Sequence, residues 1–225
     1  MESGAVQFLT NEAILYADNH LLAVNKPAGL LTQPSGTDRL SLEELAKRWV
    51  KEKYGKPGHV FLEAVHRIDR EVSGVVLFAR TSKALSRMNE QVRGRTIRKV
   101  YQALLENRPP TDEGELVHFL KHGNHRAEVS RADDSEAKEA RLRYRVLRPS
   151  AAVLWLVEID LLTGRYHQIR AQCAVMGWPI CGDVKYGARK QYDSEGIALH
   201  HRRLEVNHPV RGEHLIFEAP PPPGW

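Results

Sequence analysis

His66-Arg67-Ile68-Asp69-Arg70-Glu71-Val72-Ser73-Gly74 sets one acidic side chain between two arginines, just ahead of a Ser-Gly turn. The run Val75-Val76-Leu77-Phe78-Ala79 follows at once and reads as a buried strand. Asp69 therefore lies on a loop that feeds a strand. Nearby positive charge favours an ionised carboxylate. An ionised Asp so placed can act as a nucleophile, and flanking arginines can grip a polyanion. The same residues suit a structural Asp that pairs with its neighbours or caps a turn, so the rest of the chain must choose.

Around this stretch the composition is that of a folded, basic chain. Of 225 residues, 42% are hydrophobic and 27% charged, which supports a core and excludes a disordered protein. No linker or repeat marks a boundary, so one domain over residues 1–225 is expected. The net charge of +5 favours an acidic partner, nucleic acid ahead of a membrane surface. Cys173 and Cys181 match no C-x-x-C pattern and read as reduced thiols. No apolar run approaches the roughly 20 residues that span a bilayer. Met1-Glu2-Ser3-Gly4 lacks a signal-peptide core, so a cytoplasmic protein is expected.

Strands are expected around Ile14–Tyr16, Leu21–Val24, Val100–Leu105, Val153–Leu162, Ile197–Val206 and His214–Ala219. Ser41 with Glu44 forms a capping box for a helix to about Tyr54, its inner face Leu42, Leu45, Ala46, Trp49 and Val50. A second helix over Lys83–Val92 turns Ala84, Leu85, Met88 and Val92 inward. A third starts near Gln168 and buries Ile169, Cys173 and Met176. Arg141 to Leu147 alternates strictly, Leu142, Tyr144 and Val146 against Arg141, Arg143 and Arg145. That is a half-buried strand with a basic face, either a nucleic-acid track or a solvated face balanced by Glu139 and Glu158. Strands outnumber helices without regular alternation. The expected class is α+β with a mixed, mostly antiparallel sheet. The tail Pro220-Pro221-Pro222-Pro223-Gly224-Trp225 reads as polyproline II packed on the surface, or as a loose end.

Several chemistries are excluded by pattern. His118, His122 and His125 cluster in a segment that reads as polar loop, and His200 and His201 are adjacent, yet none has metal-ligand spacing. No phosphate-binding glycine loop and no serine-hydrolase elbow is present. What remains is Thr163-Gly164-Arg165-Tyr166-His167-Gln168-Ile169-Arg170, a glycine turn leading into a helix start with two arginines. Helix N-termini and arginine forks both favour anions. Gly182-Asp183-Val184-Lys185-Tyr186-Gly187 follows soon after.

Taken in order, these segments resemble the RNA pseudouridine synthases of the RluA type. Asn25-Lys26-Pro27-Ala28-Gly29-Leu30 resembles the family's first loop, and His66-Arg67-Ile68-Asp69 with Ser73-Gly74 its catalytic loop. Arg98-Lys99-Val100-Tyr101-Gln102-Ala103-Leu104 resembles its tyrosine motif, and Leu162 to Arg170 its arginine motif. Pro179-Ile180-Cys181-Gly182-Asp183 to Tyr186-Gly187 and Leu199-His200 to His208-Pro209 resemble its closing motifs. His66 before Arg67 sets the chain apart from the small-ribosomal-subunit type, which usually carries Gly-Arg-Leu-Asp. Val72 stands where the family mostly has Thr, and His201 where it often has Ala. No S4-type RNA-binding domain, which many relatives carry, is expected at the N-terminus.

The resemblance implies the pseudouridine synthase fold and isomerisation of uridine in structured RNA, ribosomal or transfer, without cofactor or metal. Asp69 would be the catalytic nucleophile or base, paired with Arg170. Tyr101 would stack on or hydrogen-bond the uracil, and Ile169 would wall the pocket. Arg67 would fill the space left by the flipped base, with His66 beside it. Lys26, Arg165, His167 and Lys185 would serve phosphate or loop positioning. A monomer is expected. A non-catalytic RNA-binding protein on the same scaffold, and a hydrolase of nucleoside glycosidic bonds, are the competing readings. The second lacks a partner carboxylate to activate water.

Overall fold

The computed structural model describes residues 8–36, 39–149, 154–192 and 195–225. After a 3-10 turn at Asn11–Ala13 come β1 (Ile14–Ala17), β2 (Leu21–Lys26), α1 (Leu42–Lys53), β3 (Glu63–Ala64), β4 (Ser73–Ala79) and α2 (Ser82–Arg93). Next are β5 (Arg98–Leu105), β6 (Glu113–His122), β7 (Ala127–Ser130), β8 (Lys138–Pro149), β9 (Trp155–Leu161) and α3 (Gln168–Val175). A 3-10 turn at Val184–Tyr186, β10 (Leu199–Asn207) and β11 (His214–Glu218) complete the order. The class is α+β, as expected. The chain divides into two compact units, Met1–Ile97 with Arg203–Ala219 and Arg98–Arg202 with Pro220–Trp225.

In the first unit β2 lies between β1 and β4, antiparallel to both, in a register from Leu21↔Ala79 to Lys26↔Gly74. Leu21 to Val24 and Val75 to Ala79 are wholly buried, which explains their continuous apolar runs. Leu21, Leu77, Met88, Leu204 and Phe217 share one core cluster. In α1 the Ser41 Oγ accepts from the Glu44 N–H at 3.3 Å, while the Ser41 N–H donates to the Glu44 carboxylate at 2.9 Å. The capping box thus forms as the sequence specifies. Trp49 departs from expectation: it is half-buried at the helix edge, where its indole N–H donates to Asn11 Oδ1 at 2.9 Å. The indole donor needs an acceptor that the inner face does not offer. In α2, capped by Thr81, only Ala84 and Met88 are fully buried.

In the second unit the strand order is β5-β9-β8-β6-β7, with antiparallel registers throughout. The segment with His118 and His122 is a strand, β6, rather than a polar loop. It pairs β8 along its length, so backbone hydrogen bonding outweighs its polar composition. β8 is longer than expected and turns Leu142 and Tyr144 inward. Its basic face is neutralised by Glu115 rather than Glu139: Glu115 accepts from Arg141 Nε at 2.9 Å and Arg143 Nε at 3.0 Å. Glu158 takes Arg145 at 2.9 Å, as expected. In α3 Ile169 and Cys173 are buried, but Met176 is 39% exposed, because the helix ends at Val175 and Gly177 turns the chain. The tail is packed: Trp225 Nε1 donates to Tyr192 Oη and its carbonyl accepts from Arg148 Nη2, both at 2.7 Å. Val153 and Met1 to Gly4 lie outside the described residues.

Candidate active site

The loop that carries Asp69 is fastened from beneath by the end of β2. Lys26 is 0% exposed, and its ammonium donates to the carbonyls of Pro27 (2.9 Å), Leu30 (2.7 Å) and Arg70 (3.1 Å). All three of its protons are used, which is the geometry of a clamp between the loop after β2 and the Asp69 loop. Burial pushes this ammonium down to about 7, against the pull of the Asp69 and Glu71 carboxylates. The Gly29 N–H also donates to the Arg70 carbonyl at 2.8 Å, and Thr32 Oγ1 donates to the Ile68 carbonyl at 2.8 Å. The backbone on each side of Asp69 is therefore anchored, while the Val72 N–H closes a turn onto the Asp69 carbonyl at 3.1 Å. Gly74, opposite Lys26 at the start of β4, has φ +112, open to glycine and strained for other residues.

This fastening sorts the side chains. Ile68 points into the protein, Asp69 is half-buried, and Arg67 and Arg70 are exposed. His66 is half-buried, and its Nε2 accepts from the Leu77 N–H at 3.3 Å. A backbone N–H can only donate, so that nitrogen is unprotonated.

The arginine motif is built differently, by side chains holding side chains. Gln168 Oε1 accepts from Thr163 Oγ1 (2.8 Å) and the Arg165 N–H (3.0 Å), and its amide donates to the Arg141 carbonyl at 3.0 Å. Arg165 Nε donates to the Glu139 carbonyl at 2.9 Å. Arg170 is 3% exposed and makes a bidentate pair with Asp183, Nε to Oδ2 at 2.7 Å and Nη2 to Oδ1 at 2.8 Å. Such a fork fixes both the charge and the plane of the guanidinium.

His167 completes the assembly from an uncommon backbone position, φ 48 and ψ 26, at the start of α3. Its Nε2 lies 3.1 Å from Arg170 Nη1 and its Nδ1 3.0 Å from Tyr186 Oη. Arginine has no acceptor, so Nε2 accepts, and the Nδ1 proton is donated to Tyr186. Tyr186 also accepts from the Ala127 N–H at 2.7 Å, and burial pushes its hydroxyl up to about 12. His167 and Arg165 thus hold the loop in shape.

Tyr101 on β5 is 6% exposed and stacks on His201 of β10, ring centroids 4.4 Å apart and planes 14° apart. Ile169 is buried in the first turn of α3. Asp69, His66, Arg67 and Lys26 belong to the first unit, and Tyr101, Arg165, His167, Ile169 and Arg170 to the second. Among the described residues no group of three or more His, Cys, Asp or Glu is assembled to hold a metal. No helix among them is long and apolar enough to cross a membrane.

Asp183, Gln168 and Tyr186 are the structural partners that residue types alone do not assign. Asp183 had one signal, its place after Gly182 in a closing motif. Gly182 has φ +85, and a Cβ there would lie 2.6 Å from Tyr192 Cβ, so the turn that presents Asp183 requires glycine.

The model of the family described as RNA pseudouridylate synthase matches residues 20–175. The dual-specificity RNA pseudouridine synthase RluA of Haemophilus influenzae is 33% identical over 207 residues, covering 92% of this chain and 91% of that protein. The ribosomal large subunit pseudouridine synthase C of Rickettsia bellii is 31% identical, over 94% of this chain and 69% of that protein. In structure, human RNA pseudouridylate synthase domain containing 4 superposes with a TM-score of 0.78 at 24% identity, covering 94% of this chain and 89% of that one. The chain belongs to the RNA pseudouridylate synthase family, and it is an enzyme that isomerises uridine in RNA to pseudouridine.

Proposed function

We propose that this enzyme modifies specific uridines in loops of structured ribosomal or transfer RNA, in the cytoplasm, as a monomer and as one catalytic domain. The observation that carries this reading is Asp69 itself, half-buried on an anchored turn between two exposed arginines. The N1–C1′ bond breaks, uracil turns in its pocket, and C5 bonds to C1′. C5 loses a proton and N1 gains one, so the balance needs neither electrons nor a cofactor.

In this reading Asp69 is the catalytic residue. It attacks C1′ or C6, or takes the C2′ proton. Arg170, its guanidinium plane set by Asp183, is assigned to catalysis with it. Tyr101 offers a flat wall to a base that must turn while bound, and Ile169 an apolar side. Arg67 fills the stack left by the flipped nucleotide, at a cost of a few kcal/mol that is least in loops. Lys26, Arg165 and His167 act by positioning loops, which their carbonyl and side-chain partners support. His66 spaces the catalytic loop from β4.

Mapping pseudouridine by carbodiimide adduct stops tests this, in cells with the gene, without it, and with the Asp69→Ala form. A stop in a ribosomal or transfer RNA loop that only the intact gene restores is expected. Stops that persist without the gene, or that return with Asp69→Ala, would overturn the reading.

A further inference from the structure

Three rings of the second unit form a stack that runs from the arginine motif into solvent. His167 and Tyr166 lie with centroids 3.9 Å apart and planes 20° apart. Tyr166 and the β6 residue His122 continue it at 4.6 Å and 19°. The inner end is next to Arg170, through the 3.1 Å approach of His167 Nε2. At the outer end His122 is exposed, and Tyr166 is 43% exposed. An exposed flat ring at the end of an ordered stack offers a face on which a further ring can lie.

Two cations lie to one side of this end. Lys185 Nζ donates to the His125 carbonyl at 3.1 Å, and among the described residues no carboxylate lies within ion-pair distance of it. Arg126 reaches Glu128 only at 3.6 Å, with both side chains exposed. Arg126 and Lys185 rim a groove of about 610 Å³ whose walls include Ala127, Ala171, Tyr186 and Gly187. Flat rings ending in solvent, with cations to one side, match an unpaired nucleotide: the base stacks and the phosphate meets the charge.

We propose that His122, Tyr166 and His167 form a stacking platform for an unpaired base of the substrate RNA other than the target uridine, with Lys185 and Arg126 engaging its phosphate. This rests on the RNA reading above, and it assigns a contact that the Asp69 chemistry does not use. The Tyr166 hydroxyl lies 3.4 Å from the His125 carbonyl, so a purely structural tie between loops is the alternative.

The test is fluorescence anisotropy of a labelled RNA hairpin with an unpaired loop, titrated with the full-length protein. His122→Ala should weaken binding roughly five- to tenfold, and His122→Phe, which keeps a flat ring, should restore it to within about twofold. Lys185→Gln should lower the slope of log affinity against log salt by about 0.7. Thermal melts of the variants should match the parent. His122→Ala binding like the parent, His122→Phe as weak as His122→Ala, or weakened binding that tracks a lowered melt would each overturn the platform. Pseudouridine formation is scored separately, so a protein that forms none would sink the proposed function while the His122 dependence is judged alone.

Discussion

The loop around Asp69 and the loop around Arg170 are both rigid, but by opposite means. The first is held through its backbone: one buried lysine, one threonine and one glycine N–H take carbonyls on either side of Asp69. Its arginines, Arg67 and Arg70, are left exposed. The second is held through its side chains, with Asp183, His167 and Gln168 each committed to another functional group. A carboxylate that must change partners during a reaction is best mounted on a fixed backbone. A cation that must only hold its charge and plane can be buried in a permanent fork.

Breaking the side-chain scheme should have the largest effect. Asp183→Asn leaves the Arg170 charge buried without its partner, which is expected to cost about 3–5 kcal/mol by urea denaturation and to remove activity. A loss under about 1 kcal/mol would mean the fork is not what holds this loop.

Lys26→Met attacks the backbone scheme and strands three carbonyls. It should cost about 1–3 kcal/mol at pH 6, where the ammonium holds all three protons, and lower turnover with it. The pH dependence follows from the lowered ammonium. Its folded-state value of about 7 lies below the ordinary 10.5, so the unfolded chain binds the extra proton in that window. Stability of the parent should therefore rise from about pH 7 towards about pH 10, and Lys26→Met should lose that rise. A parallel pH profile in the two proteins would contradict the lowering of this ammonium by burial.

His201→Ala sharpens the comparison, because it leaves both loops intact and removes only the ring behind Tyr101. About 1 kcal/mol of stacking, near fivefold in kcat, should be lost with RNA affinity unchanged, and His201→Phe should recover it. Equal losses in the Ala and Phe forms would show that the ring does not position Tyr101. The smallest effect belongs to Arg143→Ala. Glu115 already pairs with this exposed arginine, so stability should move by less than about 0.5 kcal/mol and the salt slope of RNA binding should hold. A slope lower by nearly one unit would make the β8 face an RNA track after all.

Elements with strong local signals were legible in the sequence. The Ser41–Glu44 capping box and the alternation of Leu142 and Tyr144 needed no tertiary knowledge, and the order of the motifs identified the family. Long-range chemistry was hidden. Nothing in Lys26-Pro27 shows that the ammonium is buried, since burial comes from pairing β2 against β4. The Asp183 fork to Arg170 spans a turn whose shape depends on Gly182. β6 was read as loop because its histidines and glutamates mask a strand whose partner, β8, lies far along the chain. Trp49 and Met176 were placed inward by helical spacing alone, which carries no information about an indole N–H or a helix end.

The most direct test of the account is single-turnover pseudouridine formation by Asp69→Asn alongside its RNA affinity. An affinity within about twofold of the parent and no product above background is the expected result, because the substitution removes the charge and keeps the shape. Residual turnover by a clean Asp69→Asn preparation would contradict the assignment of the chemistry to Asp69.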